Sequence, residues 1–427
     1  MQWSVVRFRV LIVLVLTLAA IGLWTWLVRG PGPALTPLVV LVVGVGTTLV
    51  TLTVPVFTYV SEPARTWILA IHAAAAAAVT VLLLRSARSP SGPLATVAIG
   101  VVAVAHTVIA GLAIAFSPAP RIDVWVVLQQ AADAIGRGEN IYGRAWVDSP
   151  GVDDAFTYLP WTALLLAPGR WVAGDVRWSL LVWSLLGLLG LCLLCGRNRW
   201  AAAAGGMLIL LAPGILTQVD QAWTEPLLGT LLIWWAVLVR RGHPWWAVLP
   251  LALALASKQH IALLLPVLAV WRGFGPARAV ATGALAGVLV APWFIADPRA
   301  LVHDTVLLLV EFHPIRFANT LYLFSVNVLE ATPPFWMTGL VVLGALVAAG
   351  LVVRRPGTDL AVVLRASAAV LLTANLVNKQ AFYNQFWLVA VLVAVSLVIE
   401  TADRSPRDAR APVPTPDRAT AASGRAP

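Results

Sequence analysis

The chain has 427 residues, of which 60% are apolar and only 11% charged, with a formal net charge of +10 and a mean hydropathy of +0.87. A soluble domain carries about 25% charged residues, so a soluble fold is excluded and an all-α polytopic membrane protein is expected. The positive balance does not imply nucleic acid: the arginines stand at the ends of apolar runs and in the tail, where they anchor helices on the cytoplasmic side.

A spanning helix needs about 20 mostly apolar residues. Suitable runs lie near 10–28, 35–59, 66–84, 93–117, 178–195, 200–216, 224–240, 279–296, 336–353, 360–377 and 381–400. The shorter pieces 244–257 and 260–271 raise the expected count from 11 to 13, all within one transmembrane domain over 1–400. The first run is not followed by a small-residue cleavage site and reads as a retained helix. His72 and His106 fall mid-span and are expected in the core, whereas His243 falls on the cytoplasmic side. Cys192 and Cys195, one turn apart in an apolar run, are expected to pack and receive no function.

Arginines cluster in the short connections at Arg85/Arg88, Arg197/Arg199, Arg240/Arg241, Arg272/Arg278 and Arg354/Arg355, and the turns between are nearly free of them. Placing these connections in the cytoplasm puts the 121–168 loop, the 297–335 segment and the turns near Asp220 and Lys379 outside. The 401–427 tail, rich in Pro, Ala, Arg and Asp, falls inside and is expected to be disordered. One conflict remains. Four spans before Asp123 put the N-terminus outside, although Arg7 and Arg9 argue for inside.

The polar connection from Arg121 to Pro168 holds most of the chemistry available to the chain. It opens with Asp123 directly after an apolar run, and Val124, Val127, Leu128, Ala131 and Ile135 then follow helical spacing. Gln129, Gln130 and Asp133 lie off that face, so an amphipathic helix in the headgroup plane is predicted, ended by Gly136-Arg137-Gly138. After Asp153 and Asp154, Phe156-Thr157-Tyr158-Leu159-Pro160 leads into a short apolar stretch ending at Pro168. A carboxylate held at the bilayer boundary, as Asp123 is, suits a general base on a hydroxyl. A helix cap is the plainer alternative.

Two lysines stand out in a chain that otherwise uses arginine. Lys258 and Lys379 are the only ones, each is followed by glutamine, and both fall on the predicted outer side. Lysine meets phosphate as a point charge. The runs flanking Lys258 are too short for a ~30 Å hydrocarbon core, and basic residues stand at both their outer ends. A hairpin is therefore expected, with Lys258, Gln259 and His260 at an apex below the outer surface. A charge so placed is a functional candidate, and broken helices at that depth are tolerated where they line a cavity. Asp220, Gln221, Glu225, Glu311, His313, Arg316, Asn319, Tyr383, Asn384 and Gln385 are weaker outer-side candidates.

The order Asp123, an Ala-rich helix, Gly138-Glu139-Asn140-Ile141-Tyr142, then Phe156-Thr157-Tyr158-Leu159-Pro160 with Pro168 closing, resembles the first outer loop of GT-C glycosyltransferases. The likeness is to polyprenyl-phosphate-mannose-dependent α-mannosyltransferases of actinobacterial envelopes (family 87) and to the first mannosyltransferase of GPI synthesis. It covers roughly 50 residues by motif, and this chain has extra spans before the aspartate. The resemblance implies a GT-C-like fold and a polyprenyl-phosphate-linked sugar donor. It implies a glycolipid or glycan acceptor, no cofactor, Asp123 as base, and inversion at the anomeric carbon. Lys258, Gln259 and His260, with Lys379, would then hold the donor phosphate. Tyr142, Asp153, Asp154, Tyr158, Trp223 and Tyr322 would meet substrate. No metal is needed, although Asp153 and Asp154 are the pair that would hold one. The rival class is a lipid-linked-sugar flippase or other transporter, and a non-catalytic assembly subunit is a third. Against a transporter, the polar residues gather on one face and no paired half-repeats are evident.

Overall fold

A computed structural model describes residues 7–27, 32–311, 313–314 and 318–404. Arg316 and residues 405–427 of the tail therefore lie outside the described residues. The described residues form helices and connections, with no strand among them. The first group is α1 (Phe8–Leu27), α2 (Pro37–Thr53), α3 (Ala64–Ser86), α4 (Pro93–Phe116), α5 (Asp123–Gly136) and α6 (Pro160–Ala173). The second is α7 (Arg177–Cys195), α8 (Arg199–Leu210), α9 (Ile215–Asp220), α10 (Glu225–Arg240), α11 (Val248–Ser257), α12 (Leu264–Val270) and α13 (Pro276–Ala296). The last is α14 (Pro298–Val302), α15 (Leu308–Glu311), α16 (Leu321–Val328), α17 (Phe335–Val353), α18 (Leu360–Val377) and α19 (Tyr383–Arg404).

Each of the thirteen apolar runs is helical. Eight helices are long and apolar enough to cross a bilayer, and α2, α8, α11 and the stretch Gln259–Val270 are shorter apolar helices. Local signals set many starts. Thr36 caps α2 ahead of Pro37, Asn198 caps α8, Asp297 caps α14 and Asp359 caps α18, each with a side-chain oxygen accepting a first-turn amide. Burial sorts the helices. The apolar window of α18 is 72% buried and central, whereas those of α1, α13 and α17 are 17% buried and turn their Leu, Val and Phe side chains outward, as a lipid-facing rim requires.

The connections gather at two ends. The arginine-rich end carries the turns after α3, α7, α10, α12 and α17, and of the described acidic residues only Asp359, Glu400 and Asp403 lie there. The Arg365–Glu400 pair is buried at 2.9 Å, with Arg365 4.2 Å from the Trp24 ring. At the opposite end, the expectation of nearly arginine-free turns is corrected: Arg65, Arg121, Arg137, Arg144, Arg170, Arg177 and Arg299 are there, but five of the seven are paired to a carboxylate. The net positive bias therefore stays at the first end.

The course of the N-terminal helices is set by their end contacts. Arg7 N–H donates to Asn319 at the acidic end, while Trp26 O accepts from Arg355 at the other. The α2 segment returns from Leu35, whose N–H donates to Thr401, to Tyr59, whose N–H donates to Asp220. All four helices before Asp123 thus run from one end of the bundle to the other, with Arg7 at the acidic end.

His72 and His106 are buried as expected, and they have a task. The α8 helix stops at Leu210 inside the bundle, leaving carbonyls that a helix end exposes. His72 Nε2 lies 2.9 Å from Leu211 O and His106 Nδ1 3.2 Å from Leu210 O, so two neighbouring spans satisfy the break. Cys192 and Cys195 are free thiols in the packed interior.

Candidate functional site

Asp123 begins α5, and its Oδ1 accepts the Val124 N–H at 2.8 Å. Asp123 is therefore not the N-cap, which is Ile122, but the first helical residue, with one oxygen bound to the next amide. The other faces the loop backbone at Gly151, where a Cβ would stand 2.7 Å from Oδ2. Only a glycine lets the loop close over the carboxylate at that distance.

The α5 helix is amphipathic as predicted, but its environment differs. Val127, Leu128, Ala131 and Ala132 are buried against protein, chiefly α6, where lipid was expected. Gln129, expected off the packed face, is buried too: it donates to Gly174 O and accepts from Val176 N. Asp133 pairs with Arg170 at 2.8 Å. The α6 helix does not close at Pro168 but runs on to Ala173, because Ser179 Oγ takes up the next amide, Gly169 N–H.

Behind α5 lies an ion cluster that the sequence did not disclose. Arg177 is fully buried, 2.6 Å from Asp175 and 5.7 Å from the Trp125 ring, and it donates to Ser117 O at 2.8 Å and Asp220 O at 3.3 Å. Trp125 also donates to Asp175. One guanidinium so ties the ends of α4 and α9 to the starts of α5 and α7, and fixes where Asp123 stands.

The predicted hairpin is present. The α11 helix stops at Ser257, Lys258 is extended (φ −150°, ψ 121°), and a 3-10 turn over Gln259–Leu263 leads into α12. The Ser257 carbonyl freed by the break accepts from Leu159 N–H at 3.1 Å and Thr162 Oγ at 2.6 Å, so the start of α6 stabilises the broken helix. Lys258 Nζ lies 2.5 Å from Glu225 Oε1, 3.2 Å from Thr224 Oγ1 and 5.3 Å from the centre of the Tyr158 ring. Asn384 Nδ2 donates to the same Glu225 oxygen at 2.9 Å.

Tyr158 links the two halves. Burial, and then the negative charges of Asp123 and Glu225, push its phenol well above the usual tyrosine range. A residue of the first loop thus lies against Lys258 and within electrostatic reach of both Asp123 and Glu225. Tyr142 donates to Tyr158 O at 3.0 Å, and Tyr142, Trp146 and Tyr158 all pack on Phe156. Tyr59, which the sequence did not single out, donates to Arg121 O at 2.6 Å and feels the charges of both Asp220 and Asp123.

The remaining expected residues divide. Trp223 is half-buried beside Thr224 and donates to Gln221. Gln259 spends its amide protons on Thr157 O and Thr305 O, clasping the first loop to the second outer segment. His260 is half-buried on the same turn as Lys258. Lys379 is not brought to Lys258 by any contact found: its ammonium donates to Val310 O at 2.5 Å, and burial lowers its pKa. Asp153 and Asp154 are exposed on the loop, and Tyr322 packs half-buried on α16. Among the described residues no group of three or more His, Cys, Asp or Glu side chains is placed to hold a metal ion.

Asp304 is a further residue that sequence reasoning passed over. It is buried in a π-helical turn, His303–Leu307, and its Oδ2 accepts from Gly143 N–H at 3.2 Å and Phe156 N–H at 3.0 Å. Those amides bracket the loop that carries Gly151, so one carboxylate pins both its ends; π-turns recur where such local geometry is needed. Asp304→Ala should leave the buried Phe156 N–H unmet, at about 1–3 kcal/mol, and free the exposed Gly143 N–H. The expected result is faster amide hydrogen exchange over 143–156 with the spans unchanged.

Fold and site together define a multi-pass, all-helical membrane protein with a buried lysine–carboxylate pair and a second carboxylate at one end of the bundle. No family model matches the chain, and no curated protein matches it. Two crystal structures of ArnT from Cupriavidus metallidurans are similar in fold. The one bound to undecaprenyl phosphate aligns with 72% of this chain and 60% of its own, at 14% identity and a TM-score of 0.47. The apo structure aligns with 73% of this chain and 60% of its own, at 15% identity and a TM-score of 0.46. The chain thus matches about 60% of the length of those structures. At that level of similarity, function is better read from the residues of this chain.

Proposed function

We propose that the protein is a GT-C glycosyltransferase that transfers a hexose, mannose in the first instance, from a polyprenyl-phosphate donor to an acceptor hydroxyl. The observation that carries this is that Tyr158 brings together the half-buried Lys258, its partner Glu225 and the charge of Asp123 at one end of a membrane bundle. The arginine-rich end is cytoplasmic by the positive-inside rule, so this site faces the extracytoplasmic side. The donor's lipid tail stays in the bilayer with its phosphate near Lys258. Asp123 takes the proton of the acceptor hydroxyl as its oxygen attacks the anomeric carbon. The new glycosidic C–O bond forms on the face opposite the phosphate, and the sugar C–O bond to phosphate breaks. A β-linked donor so gives an α-glycoside and polyprenyl phosphate. The charge growing on the leaving oxygen meets the Lys258 ammonium, and the aromatic faces of Tyr142, Tyr158 and Trp223 suit a sugar. Gln259 serves as a clasp in this reading, and Lys379 as a tie to α15.

The test is transfer from polyprenyl-phosphate-mannose in membranes carrying wild type or Lys258→Ala at equal expression. Wild type should transfer the sugar, and Lys258→Ala should lose about 10²–10³ in kcat/KM, as for other removed transition-state donors. Movement of the lipid-linked sugar across the bilayer without transfer would put the flippase reading in its place.

A further inference from the structure

Lys258, the cation assigned to phosphate, already has a counter-ion. Glu225 is fully shielded from solvent, and its Oε1 receives both Lys258 at 2.5 Å and Asn384 at 2.9 Å, while its Oε2 is buried with no hydrogen-bond partner. The lysine keeps 12% of its side chain exposed and Glu225 none, so the lysine is the accessible partner of the pair. An ammonium has three protons to give. One goes to Glu225 and one to Thr224, leaving one for a ligand. Asp123 and Glu225 both act on Tyr158, so a phosphate arriving there faces two carboxylates and one ammonium.

This matters most after transfer. The donor phosphate is a diester with one negative charge. Breaking its bond to the sugar leaves a monoester, whose second pKa near 6 gives it about −1.5 to −2 at neutral pH. The product therefore binds a bare lysine more tightly than the donor does, and would stall the enzyme. We propose that Glu225 is a positioning residue that competes with phosphate for Lys258, weakens the grip on polyprenyl phosphate, and so sets its release. Asn384, donating from α19, holds the carboxylate in place while Lys258 turns to the ligand and back. The proposal rests on the glycosyltransferase reading above and adds to it a residue that controls turnover.

The experiment uses the full-length protein in lipid nanodiscs and measures polyprenyl phosphate binding alongside steady-state transfer. Glu225→Gln keeps the shape and an acceptor for Asn384 while removing the charge. Its Kd for polyprenyl phosphate should fall at least tenfold. Its kcat and donor KM should fall together, and a pre-steady-state burst should appear as release becomes limiting. The double variant Glu225→Gln/Lys258→Ala should bind no more tightly than Lys258→Ala, because the effect passes through the lysine. Should Glu225→Gln fail to fold, Glu225→Asp draws the carboxylate back by one methylene and should tighten binding about threefold. Wild-type or weaker binding in the folded Glu225 variant overturns the proposal. Lys258→Ala binding as tightly as wild type would instead remove Lys258 from the phosphate site, and with it the functional reading.

Discussion

Asp123→Asn should abolish sugar transfer and leave the protein folded. General base catalysis contributes about 10²–10⁴-fold, and an amide cannot accept the acceptor's proton. The substitution is clean because the asparagine carbonyl can still accept the Val124 N–H and a side chain of the same size still fits beneath Gly151. The loss should fall on kcat, with donor KM little changed, since the phosphate is assigned to Lys258 and not to Asp123. Transfer assays at matched expression, with thermal unfolding as the control, check this. An undiminished kcat would leave Asp123 with a structural role and no more.

The helices were largely legible because each buries or exposes an apolar run long enough to span, or conspicuously too short. That shortness also exposed the Lys258 hairpin, whose break is structurally required once the flanking runs cannot reach across. Lys258 and Lys379 looked alike in sequence, yet one meets Glu225 and the other a backbone carbonyl. Rarity of a residue type marks a position; it does not say what stands opposite. Glu225 stood only among the weaker candidates, and Asp304 not at all, for the same reason. Glu225 meets Lys258 33 residues along the chain, and Asp304 meets Gly143 161 residues away, distances over which periodicity and spacing carry no information. The lipid-facing role expected for α5 failed because an amphipathic pattern fixes which face is apolar and not whether lipid or α6 covers it.

Arg177→Met should cost more stability than any surface change, about 3–5 kcal/mol, the range for removing one partner of a buried pair. Methionine fills much of the volume but leaves Asp175 and Asp220 without their cation and Ser117 O without its donor. Arg177→Lys should recover only part, because a point charge cannot span Asp175, Ser117 O and Asp220 O as the planar fork does. The fall is to be read as a lowered unfolding temperature in detergent. Arg177→Met/Asp175→Asn should be less damaged than the sum of its parts, since the second change removes a charge the first had stranded. Additive losses would mean the two side chains act separately. Coupled losses would place the start of α5, and Asp123 with it, under the control of a guanidinium that lies behind the site, on the first turn of α7.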